Sequence, residues 1–113
     1  MDKIKTINID KISADPRVFI DGSERSVAKL SSLVIGRGVY KPGWKWSAHA
    51  GPQTGKKSGR HIGWIQSGKM IIQAEDGSKN EVGPGDFFEV GPNHDAWVIG
   101  DEPCIALDFA IKD

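Results

Sequence analysis

The sequence has one cysteine, no net charge and no long apolar run. A lone Cys104 excludes an internal disulfide framework and fits a reducing compartment. Fifteen basic residues cancel fifteen acidic ones, so the basic excess or stripe of a nucleic-acid binder is missing. Lys56, Lys57 and Arg60 read as a solvated loop. No apolar stretch approaches the roughly 20 residues of a membrane span. The opening MDKIKTINID mixes charged and apolar residues throughout, unlike a signal peptide. A soluble, cytoplasmic protein is expected, with partners among small molecules rather than nucleic acids or membranes.

A sustained helical period is also missing. Apolar residues come in short runs broken by Gly, Pro, Asn and Asp, and 14 glycines with 6 prolines favour turns over long helices. This is an all-β pattern, and 113 residues make one domain, 1–113. N-terminal strands are expected within residues 1–30 and a barrel core over 35–110. Lys3–Ile9 and Arg17–Ile20 are strand candidates. Ala28–Tyr40 reads as one long strand, bent or bulged at Gly36 and Gly38. Trp44–His49 reads as the next, and Gly51–Arg60 as a loop with nothing to bury. His61–Ser67, Lys69–Glu75, Lys79–Val82, Phe87–Val90, Asp95–Ile99 and Cys104–Ile111 follow, with Asp76-Gly77 as a hairpin turn. Short strands spaced this way predict a jelly roll.

The turns and histidines resemble a cupin. The cupin family's first motif runs Gly, five residues, His, one residue, His, then a Glu and a later Gly. Gly43 stands five residues before His49, Gly51 takes the second His position, and a longer loop leads to His61 in place of the Glu, six residues before Gly68. The second motif is matched by Pro84-Gly85-Asp86, the run Phe87–Val90 and the turn Gly91-Pro92-Asn93. Ala96 stands at its usual His position, and His94 lies two residues earlier. The resemblance implies a double-stranded β-helix, and it places His49, His61 and His94 as candidate ligands of a divalent transition metal.

Three neutral imidazoles suit Fe, Zn, Ni, Mn or Cu, and a three-His site keeps open positions for water or substrate. Without the Glu the metal keeps its full charge, which favours a small anionic ligand. By analogy with cupin-like thiol dioxygenases, an oxidative or isomerising enzyme is one reading. The other is a metal-free cup that binds or senses a small molecule, with the histidines as hydrogen-bond donors.

Strand alternation refines the pocket. His94 shares a face with Ala96, and His61 with Gly63, whose missing side chain would leave room for a ligand. Trp44 and Trp46 either cover the outer sheet or face the pocket through a bulge near Ser47, where they could stack on a planar ligand. Asp86 is expected to cap a turn, Asp95 to face away from His94, and Asp108 and Cys104 to share the exposed side of the last strand. Gly51–Ser58 resembles a phosphate-binding P-loop only loosely, because its spacing is one residue short and a β segment follows. Barrels of this kind often pair through edge strands. Lys3–Ile9 would cross to a second copy, so a homodimer is expected.

Overall fold

The computed structural model describes residues 4–11, 17–55 and 58–111. Among the described residues, nine antiparallel strands form two sheets. They are β1 (Arg17–Val18), β2 (Glu24–Lys29), β3 (Leu33–Tyr40), β4 (His61–Ser67), β5 (Lys69–Gln73), β6 (Lys79–Val82), β7 (Phe87–Val90), β8 (Asp95–Ile99) and β9 (Cys104–Ile111). The larger sheet has the order β1-β2-β3-β9-β4-β7, and the smaller β6-β5-β8. Their inner faces enclose a core that includes Phe19, Tyr40, Trp44, Ile65, Met70, Val98 and Cys104. This is an all-β jelly-roll architecture, as the short alternating runs predict. No described helix is long and apolar enough to cross a membrane.

The central hairpins follow the sequence closely. Gly77, Gly85 and Gly68 all take positive φ at tight turns, a conformation that glycine adopts without steric cost. Asp86 accepts the backbone N–H of Gly83 at 2.8 Å, as a turn cap should.

Four expectations are corrected. Residues 4–8 form no strand, and Ile9–Lys11 is a single 3-10 turn; Lys3 lies outside the described residues. A helical turn at that point carries Asp10 to Arg37, which pairs with it at 2.6 Å. The run Ala28–Tyr40 is two strands, because the chain reverses at residues 30–32 and Leu30 N–H bonds Leu33 O at 2.9 Å. Neither Gly36 nor Gly38 marks a bulge. Both sit in an unbroken ladder that pairs Gly36 with Asp108 and Gly38 with Ala106. A side chain at Gly36 would collide with Arg25 and Asp108, and one at Gly38 with the Tyr40 ring, so these glycines serve close approach.

The fourth correction is Trp44–His49. The strand stops at a bridge between Lys45 and Trp97, and Trp46–Ala50 winds into one wide π-type turn. A short helix, α1 (Gly51–Thr54), follows and ends at Gly55 in the left-handed region. No β-branched residue lies between Trp44 and Thr54, so little opposes the turn.

Candidate functional site

A cavity of about 330 Å³ lies between the sheets, at the small end of ligand pockets. Small side chains on the inner face make the room. Ala106, Asp108 and Ala110 line it from β9, opposite Gly38 and Gly36 and the start of β3. Gly63 does not make room: a side chain there would run into the Phe88 ring, which already fills that space. The expectation that Gly63 opens the pocket is therefore corrected. Ala96 does line the cavity, as do both Trp44 and Trp46. Both tryptophans therefore face the pocket, and the wide turn that begins at Trp46 ends the alternation that would have set His49 strictly opposite them.

Two of the three histidines meet. His61 enters from β4 and His94 from the turn before β8, with ring centroids 4.9 Å apart. Phe88 packs edge-on against His61 with centroids 5.7 Å apart. His94 is only 6% exposed and its Nδ1 donates to Gly91 O at 2.8 Å. A carbonyl can only accept, so the neutral ring carries its proton on Nδ1 and leaves Nε2 as an acceptor. Burial holds the His94 imidazole below its ordinary range; the Gly91 bond opposes this and the nearby His61 adds to it. Ser58 fixes this corner by donating its hydroxyl to His94 O at 2.6 Å, which corrects the reading of Gly51–Arg60 as a loop without buried groups.

His49 does not join them. It sits in the wide turn, where its Nδ1 accepts the backbone N–H of Lys45 at 2.9 Å. An imidazole nitrogen that accepts a hydrogen bond has no lone pair left for a metal. Among the described residues no three His, Cys, Asp or Glu side chains are grouped to hold an ion. The described residues therefore do not fit a resident metal on three protein ligands.

Charge comes from residues that strand alternation alone left outside the site. Arg25 forks onto Asp108 at 2.7 and 3.1 Å, reaching across β3 over Gly36. Burial alone would lower the Arg25 pKa, and the hydrogen bond and charge of Asp108 outweigh it to raise it. Asp108 is thus an inward residue, and Cys104 on the same face is fully buried, so both corrections invert the expected side of β9. The signal was present: Ala and Cys alternate with Asp on that face, and a barrel with a cavity needs small residues inside. Burial, with Asp108 second, also pushes the Tyr40 hydroxyl well above the ordinary tyrosine range. Arg17 and Arg60 stand at the rim, and Arg60 meets Glu89 at 3.3 Å with both side chains largely exposed. Asp95 faces away, taking Ser47 N–H and hydroxyl at 3.0 and 2.7 Å.

No family model matches the sequence, and no curated protein matches it either. Solved structures do. A cupin-superfamily sugar phosphate isomerase from Silicibacter pomeroyi superposes with a TM-score of 0.71 at 15% identity, over 96% of this chain and 76% of that one. A Cupin 2 conserved barrel domain protein from Salinispora arenicola gives 0.67 at 14% identity, over 99% and 91%. The chain has the cupin fold. KdgF from Halomonas sp. is similar too, with a TM-score of 0.63 at 19% identity over 88% of each chain. Of the three histidines near the motif positions, His61 and His94 meet in the cup of this fold.

Proposed function

We propose that the cup binds a small organic anion without a resident metal, as a binding or sensing module. The observation that carries this is the charge balance of the cavity wall. Three arginines and two histidines line it against a single carboxylate, Asp108, which is already committed to Arg25. Among the described residues no acidic side chain pairs with Arg17, and an exposed pair such as Arg60–Glu89 holds its arginine only weakly. Guanidinium groups favour carboxylate and phosphate oxygens, which accept two parallel N–H bonds. The apolar and aromatic wall below them suits the carbon skeleton of such an anion. One structural neighbour is named a sugar phosphate isomerase, whose substrate is by that name an organic anion.

Thermal denaturation of chelator-treated protein against carboxylates and sugar phosphates tests the reading. Anions should raise the melting temperature without added metal, and their uncharged analogues should not. A shift that appears only after Fe, Zn, Ni, Mn or Cu is restored would overturn it. Metal held by His61, His94 and the ligand together would then replace it.

A further inference from the structure

The cup holds one buried donor that no described residue pairs with. Trp44 lines the cavity and is 3% exposed, and its Nε1 has no hydrogen-bond partner among the described residues. The indole cannot easily turn to find one. Its ring stacks on Tyr40 with centroids 4.2 Å apart, and Phe19 packs against it at 5.9 Å. Its backbone is fixed on both sides: Trp44 N–H bonds Lys41 O at 3.0 Å, and Val98 N–H bonds Trp44 O at 2.9 Å. A buried polar group without a partner is rare in a folded protein and calls for a specific cause. Trp is strictly a donor, so the missing partner is an acceptor.

Position adds a second constraint. Trp44 belongs to the buried core, whereas Arg17 and Arg60, which line the same cavity, are exposed. An anionic group paired with the exposed arginines does not by itself bring an acceptor to the buried indole.

We infer that the Trp44 indole N–H donates to a ligand oxygen at the floor of the cup. The ligand is then an organic anion with a second, uncharged oxygen acceptor remote from its charge, such as a keto or hydroxy acid. This rests on the anion reading above. The arginines set the charge of the ligand, and Trp44 selects oxygenated carbon skeletons over plain aliphatic acids of equal length.

Calorimetric titration with hexanoate and 5-oxohexanoate tests this in wild type and Trp44→Phe. The two acids share charge and chain length and differ in one carbonyl. Wild type should prefer 5-oxohexanoate by about tenfold, the worth of one neutral hydrogen bond. In Trp44→Phe the preference should vanish. A preference that survives the substitution, or its absence in wild type, would overturn the inference. Binding of both acids with equal affinity leaves the anion reading standing, whereas binding of neither removes both. Should Trp44→Phe fold poorly, the wild-type indole N–H resonances decide. The Trp44 signal should move downfield with 5-oxohexanoate and stay in place with hexanoate; an unmoved signal with the keto acid overturns the inference.

Discussion

Arg25 and Asp108 show what single residues do in this cup. Their fork joins β2 to β9 across the width of β3, and both side chains are mostly shielded. Asp108→Asn would leave the Arg25 charge without its counterion. The expected loss is about 1–2 kcal/mol, below the figure for fully buried pairs because some solvent screening remains. Urea unfolding measures it; an unchanged midpoint would contradict the assignment. His94 adds a pH dependence. Its folded imidazole lies below the ordinary 6.5, so the fold favours the neutral ring. That contribution is complete above the unfolded value and is lost as pH falls through the lower folded one. Wild type should therefore lose more stability than His94→Gln between pH 8 and pH 5, read by urea unfolding at both. Cys104 is fully buried, and burial pushes its thiol up to about 11. It should resist a disulfide reagent at pH 8 in the native state and react at once in denaturant. Rapid labelling of native protein would contradict its burial.

At the scale of elements, the central hairpins were the most readable part. Turn dipeptides such as Asp76-Gly77 fix both the place and the type of the reversal, and β4 to β9 fall where the alternation puts them. Two of the features that the sequence hides have clear physical reasons. The face of β9 is ambiguous in sequence, because Ile105, Leu107 and Phe109 look like a core stripe. They are only partly buried, whereas Cys104 and Ala106 belong to the buried core and Ala106, Asp108 and Ala110 line the cavity. Hydrophobicity alone cannot tell a packed core from the lining of a cavity. The wide turn Trp46–Ala50 escaped because its capping bond is an imidazole to a backbone N–H four residues earlier, which no strand pattern registers. The small stripe on β3 is itself testable. Gly38→Ala would drive a methyl group into the Tyr40 ring, against the floor of the cup. A cost of about 1–3 kcal/mol, typical of overpacking, is expected together with weaker ligand binding. A neutral Gly38→Ala in thermal denaturation and titration would contradict the close approach.

For the whole molecule, the scaffold and the site part company. The cupin fold follows from turn spacing and strand length, which tolerate wide substitution, and at 15% identity the superposition still reaches a TM-score of 0.71. The metal chemistry depends on three specific nitrogens meeting. The chain brings His61 and His94 together and employs His49 elsewhere as a cap. In the proposed reading, the selectivity of the cup comes from fixed charge at its rim. Calorimetric titration of chelator-treated protein with hexanoate and with hexanamide isolates that charge, because the two differ little in size or shape. Hexanoate should bind, added salt should weaken its binding, and hexanamide should give no measurable heat. Equal binding of the amide, or hexanoate binding that appears only once a divalent metal is added back, would contradict this reading.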